Sequence, residues 1–158
     1  MAAEIFAKIG DIKGESADAV HKDEIEVTSF SWSAARPSAP GGAGGGATGK
    51  PVFQDISFVH RIDKATPKLL EALATNRRFP DATITHRKTG AAQQDYLTIK
   101  LSDVTIAGVS LGDTGGGGTE TVMLAFGKVD LEYKPQKPDG SLDAGIHFKF
   151  NLATNQVG

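Results

Sequence analysis

The residues best placed to do chemistry sit in a glycine run. Gly44-Gly45-Gly46-Ala47-Thr48-Gly49-Lys50 satisfies G-x-x-x-x-G-K, the spacing with which a backbone loop cradles phosphates. The next residue is Pro51, where magnesium ligation needs Ser or Thr. A phosphate loop must also open a helix, so that helix N–H groups meet the anion. Here Val52-Phe53-Gln54-Asp55-Ile56 continues as a strand pattern. The overlapping G-x-G-x-x-G of Gly44, Gly46 and Gly49 has the same defect. Glycine runs generate both matches by chance, so the segment reads as a flexible or interface-forming loop.

The other reactive residue types are dispersed. The histidines are His21, His60, His86 and His147, and none lies two or four positions from another, so no local metal pair exists. They are expected at the surface or at a barrel end. Carboxylates are plentiful, as in Asp23, Glu24 and Glu26, but a glycosidase needs two at fixed separation beside aromatic platforms. Most aromatic residues fall instead at core parity. No Gly-x-Ser-x-Gly elbow occurs, and the absence of cysteine excludes thiol nucleophiles, disulfides and thiolate metal sites. Arg77-Arg78 and Arg87-Lys88 read as solvated loop and strand ends, or as partners for acidic residues of a neighbouring subunit. No cofactor, metal site or catalytic residue is expected, and the chain does not read as an enzyme.

Composition narrows the remaining classes. The 158 residues fit one domain, residues 1–158, able to bury a core without staples. A net charge of −2 argues against nucleic acid as a partner, because phosphate binding requires clustered cations. No apolar run approaches the roughly 20 residues of a membrane span. Met1–Gly10 lacks the basic and apolar regions of a signal peptide. The expectation is a product made and kept in the cytoplasm unless a non-standard route exports it.

The elements that must position these residues are mostly strands. Ile5, Ala7 and Ile9 alternate with Glu4, Phe6 and Lys8. A long strand is expected over His21–Ala35, with burial swapping sides midway as at a bulge. Further strands are expected over Val52–Ile62, Ala82–Lys88, around Leu97, Ile99 and Leu101, around Val122, Leu124 and Phe126, and at Ile146, Phe148, Phe150 and Leu152. Beyond Gly127 the apolar parity slips to Val129, Leu131 and Tyr133, making Gly127 a bulge candidate. One short helix is predicted at about 67–75, with Thr66 as N-cap, Pro67 in the first turn, Asn76 as the stop, and Leu69, Leu70 and Leu73 as its apolar stripe. Seven or more strands and one helix make a mainly β protein, a closed or nearly closed antiparallel barrel. A long Pro/Gly-rich loop at about 34–50 interrupts it, and loops of that length usually carry function.

The order of motifs closely resembles the haemolysin-coregulated protein (Hcp) family. Its opening resembles Ile5-Phe6-Ala7-Lys8-Ile9-Gly10-Asp11-Ile12-Lys13-Gly14-Glu15-Ser16. Glu24-Ile25-Glu26-Val27 leads to Phe30-Ser31-Trp32, and Asp63-Lys64-Ala65-Thr66-Pro67 opens the helix. Tyr96-Leu97-Thr98-Ile99 and Val129-Asp130-Leu131-Glu132-Tyr133-Lys134-Pro135-Gln136 follow in order. The resemblance implies a hexameric ring that stacks into a hollow tube of a type VI secretion system, similar to phage tail tubes. It implies partners too: further copies of the chain, a spike protein, a contractile sheath and effector proteins carried in the lumen. It also implies export on firing without a signal peptide. Other classes with the same strand pattern are a jelly-roll carbohydrate-binding module and a ligand-free cytoplasmic barrel.

Within that expectation two groups of residues stand out. Ser29, Ser31 and Ser33 share a face opposite Phe30 and Trp32; if the aromatic side chains fill the barrel, the serines face outward as a short, uncharged channel lining, or else lie at a subunit boundary. Pro40, Gly41, Gly42, Gly44, Gly45, Gly46, Gly49 and Lys50 form a candidate inter-ring loop, because glycine permits close backbone approach.

Overall fold

In a computed structural model, which describes residues 3–37, 49–89 and 93–158, eleven strands and one helix follow in order. They are β1 Ala3–Ile9, β2 Ile25–Ser31, β3 Ala34–Ala35, β4 Val52–Phe53, β5 Ile56–Arg61, α1 Ala65–Ala74, β6 Arg78–Lys88, β7 Gln94–Gly112, β8 Thr119–Ala125, β9 Lys128–Tyr133, β10 Ile146–Asn151 and β11 Gln156–Val157. Neighbours run β7-β6-β1-β2-β5-β8, and β8 pairs back onto β7, closing an antiparallel six-stranded barrel. Closure removes the open edges that would otherwise invite further pairing. Strands β9, β10 and β11 extend the sheet outward from β7.

The barrel interior follows the period-two pattern. Ala7, Ile9, Ile25, Val27, Ile56, Phe58, Ile84, Ile99, Val122 and Leu124 point inward and are buried. The predicted swap of faces in the second strand is present. The β2–β5 register shifts between Val27 and Ser29, so Ile25 and Val27 face in before it, and Phe30 and Trp32 pack on the core after it. The long strand expected over His21–Ala35 is shorter and divided. It runs from Ile25 to Ser31 and resumes at Ala34–Ala35, where the chain leaves the barrel to pair with β4. The strand expected over Val52–Ile62 divides in the same way into β4 and β5.

At Gly127 the structure corrects the expected bulge. Two residues lie between Ser102 and Thr105 on β7, and two between Ala125 and Lys128 opposite, so no residue is inserted. Instead both partners turn together: Asp103 adopts φ 58°, and the Gly127 N–H donates to Ser102 O at 2.9 Å. A Cβ on Gly127 would sit 3.1 Å from an Asp103 carboxylate oxygen. The inserted residue lies further along, between Ile106 and Gly108.

The helix also differs in detail. It starts at Ala65, so Thr66 lies inside the first turn rather than capping it. Asp63 does the capping: its Oδ1 accepts the Ala65 N–H at 2.8 Å, while Thr66 Oγ1 accepts the Asp63 N–H at 3.3 Å. Asn76 ends the helix as expected. It takes φ 51°, its N–H donates to Leu73 O, and the Arg77 N–H donates to Ala72 O. The buried stripe is Ala65, Leu69 and Ala72, spaced by four and three, whereas Leu70 and Leu73 are exposed.

Candidate functional site

The barrel has two outer faces of different character, and the contrast locates the candidate site. On the β1–β6 side, outward Phe6, Thr85 and Arg87 are buried. The segment of residues 13–24 crosses them as a strap. The His21 ring stacks on Phe6 with centroids 4.5 Å apart, and the Arg87 guanidinium lies 5.0 Å from the same ring. Arg87 is 2% exposed and is gripped by Glu4 on β1 and Asp18 on the strap. These bonds hold the Asp18 carboxyl well below the usual carboxylate range. The expectation of a solvated basic spot at Arg87-Lys88 fails for Arg87, because sequence alone does not show that a strap covers this strand.

On the opposite side nothing among the described residues covers the sheet. Outward positions of β2, β5, β8 and the second half of β7 line up in rows across four strands. One row runs Ser31, Ser57, Met123, Gly108; the next runs Ser29, Val59, Thr121, Ser110. All eight residues are exposed or half-buried, and none is charged. Ser29, Ser31 and Ser33 are all exposed, with Phe30 and Trp32 turned to the core. The sequence pattern exposed only the β2 part of this lane. The β5, β8 and β7 contributions depend on register, which alternation within one strand cannot reveal.

The candidate loop has a built base. Ala34 pairs with Phe53 and Ala35 with Val52, and the Gly49 N–H donates to Pro37 O at 3.1 Å. Trp32 Nε1 donates to Gln54 O at 2.9 Å, and Phe53 packs at 4.7 Å from Phe150. The base of the excursion is therefore a two-stranded ribbon held by aromatic residues. Lys50 is exposed, and the chain after it enters β4 rather than a helix, so the phosphate-loop context is missing. Pro40, Gly41, Gly42, Gly44, Gly45 and Gly46 lie outside the described residues.

The histidines depart from expectation. His21, His60 and His86 are all buried; only His147 is exposed. His60 Nε2 lies 2.6 Å from Glu120 Oε1, with both side chains fully buried. Strand alternation placed His60 inward beside Ile56 and Phe58, a signal the residue-type reading did not use. No group of three or more His, Asp or Glu side chains among the described residues is arranged to hold a metal. Trp32, Phe53, Phe126, Phe148 and Phe150 pack against one another instead of forming an open sugar platform.

The described residues thus form a closed barrel with one outer face covered by the strap, one uncharged face that none of them covers, and a two-stranded ribbon at the base of the loop. The family model described as "Type VI secretion system effector, Hcp" matches residues 6–133. The chain belongs to the Hcp family of type VI secretion proteins. It is 42% identical to Protein hcp1 of Pseudomonas aeruginosa over 98% of both chains. It is 31% identical to the Major exported protein of the same organism over 63% of this chain and 58% of that one. Among solved structures, Hcp1 from Salmonella typhimurium superposes with a TM-score of 0.79 at 31% identity, covering 100% of both chains. A structure described as a type six secretion system protein gives 0.93 at 26% identity, covering 99% of this chain and 100% of that one.

Proposed function

We propose that six copies of this chain close into a ring, that rings stack into the inner tube of a type VI secretion system, and that the bare lane through Ser29, Ser31 and Ser57 lines its channel. One observation carries the reading: the uncharged surface spans four strands and none of the described residues covers it, while the strap seals the opposite outer face. Such a lining neither grips nor repels a passing protein by charge. Closing a ring requires heterologous contacts, one surface of each copy meeting a different surface of the next. The ribbon bearing Gly49 and Lys50 reaches toward the adjacent ring. The partners are further copies of the chain, a spike, a contractile sheath and small effectors within the lumen. The subunit is cytoplasmic before firing and leaves the cell through the secretion machine.

Native mass spectrometry and electron microscopy of the purified full chain test this. Sixfold rings of about six times 16.5 kDa are expected. A monomer persisting at high concentration overturns it.

A further inference from the structure

Three of the four imidazoles in this chain are each bracketed by two carboxylates. His21 Nδ1 lies 3.0 Å from Glu24 Oε2, and its Nε2 lies 3.1 Å from Asp95 Oδ1. His60 Nε2 meets Glu120 at 2.6 Å, and its Nδ1 lies 3.7 Å from Asp63 Oδ2. His147 stands between Asp130 and Glu132 at 2.8 and 3.2 Å, but at the surface. Each buried case reaches an element that the barrel ladder does not, the strap at His21 and α1 at His60. His21 ties the strap to the start of β7. His60 ties β5 to β8 and, through Asp63, to the cap of α1.

We propose that His21 and His60 are proton-held fasteners, each an imidazolium seated between two carboxylates, and that raising the pH loosens the strap and α1 from the barrel. A neutral imidazole still donates one N–H to one carboxylate, but it no longer balances the charge of either. At His60 that leaves Glu120 fully buried, and its Oε2 already lacks a hydrogen-bond partner, as does His60 Nδ1. An uncompensated buried carboxylate is costly.

The groups facing each ring are few. Around His21 they are Asp95 on β7, Glu24 ahead of β2, Asp18 on the strap, and Arg87 of β6 against the same Phe6 ring. Around His60 they are Glu120 on β8, Asp63, and the Thr66 hydroxyl of α1, which donates to Glu120 at 3.5 Å. Burial opposes protonation of both imidazoles. The carboxylates outweigh it, Asp95 and Glu24 at His21, Asp63 and Glu120 at His60, and raise both above the ordinary 6.5. A raised folded-state value stabilises fully below 6.5, and the stabilisation is lost as the pH rises through the folded values. Each unit of elevation multiplies the folding equilibrium constant by about ten.

The test uses the full chain. Histidine ring proton and carbon resonances are followed from about pH 6 to pH 9, alongside thermal midpoints and amide exchange in residues 13–24 and 65–74. Two ring signals titrating above 6.5, a midpoint that falls across the same range, and lower protection factors in both segments, after correction for the base-catalysed rise in intrinsic exchange, are expected. His21→Gln and His60→Gln should each remove part of the fall, and His147→Gln should leave it intact. The proposal is overturned if both buried rings titrate at or below 6.5. It is equally overturned if the double variant loses stability with pH as steeply as the parent. Should a variant fail to fold, the ring titration of the unaltered chain decides. The outcome does not depend on whether the chain forms rings.

Discussion

Arg87 and Asp18 are joined twice, Nη1 to Oδ1 at 2.9 Å and Nη2 to Oδ2 at 2.6 Å. The pair links residues 69 positions apart and pins the strap across β6. A planar guanidinium suits this two-point grip, and its Nε and Nη2 also donate to Glu4 Oε2 on the neighbouring strand. The strap therefore closes over Phe6 by charge as much as by apolar burial.

Replacing Arg87 with Ala should destabilise the chain by about 2 to 3 kcal/mol in urea titration. That is below the usual cost of breaking a fully buried pair, because Glu4 is 43% exposed. Arg87→Lys should recover only part of the loss, since an ammonium cannot make the two-point contact. The same pair predicts an acid limb. Asp18 is depressed in the folded state, so its contribution is complete above 3.8 and is lost as pH falls toward the lowered value. An Asp18→Asn variant should unfold with a shallower acid limb.

Gly14 predicts a steric counterpart. A Cβ there would lie 2.5 Å from the Glu24 carbonyl oxygen and 2.7 Å from the Ile25 Cα, both backbone atoms. Neither can swing aside without moving the strap off β2. Gly14→Ala should cost about 2 to 3 kcal/mol and lower the melting midpoint by roughly 5 to 10 °C. A midpoint within 2 °C of the parent would contradict the packing described.

These strap features mark the limit of what the sequence discloses. Alternation grouped Ile5, Ala7 and Ile9 on one face, which the structure turns toward the core, and the expected mid-strand swap of faces falls at the bulge between Val27 and Ser29. Phe6 also fell on the outward parity as read, yet it is buried, because residues 13–24 have no period of their own and their path over β1 and β6 is tertiary. Gly127 misled for a related reason. A slip in apolar parity looks the same whether one strand gains a residue or two strands turn together, and only the partner register separates the cases. The uncharged lane was visible on β2 alone, since register across β5, β8 and β7 is set by closure of the barrel.

Ser31 tests the lane. Its row neighbours are Ser57, Met123 and Gly108, so a Trp at this position would add a bulky ring to an uncharged surface. Ser31→Trp should leave ring mass unchanged, because the position is exposed and makes no core contact. It should reduce retention of a co-purified effector. Unchanged retention would remove this row from the channel and place it at a subunit boundary.

The ribbon predicts a separation of ring closure from ring stacking. Pro37 and Gly49 are already bridged by a backbone hydrogen bond, so deleting residues 38–48 and closing the gap with a tight turn should preserve the β3–β4 ladder. Rings should form with the parent's mass per copy, while tubes in electron micrographs become rare. Ordering a glycine-rich segment costs entropy, so each stacking contact is weak and becomes effective only when six act together. Deletion removes all six at once, which makes the expected loss steep rather than graded. Tubes of normal length from this variant would assign stacking to another surface.

The exposed leucines of α1 carry the last prediction. Leu69 is fully buried against the barrel, so Leu69→Ala should cost about 3 kcal/mol in the isolated subunit, by lost transfer energy and an unfilled cavity. Leu73, at 37% exposure, should cost less than about 1 kcal/mol under the same conditions. The measurement that matters is the comparison between states. If the face bearing Leu70 and Leu73 is covered when rings close, Leu73→Ser will leave the monomer's unfolding curve in place yet shift the ring–monomer balance toward monomer in native mass spectra. If both curves stay unchanged, this face of the helix looks outward from the ring.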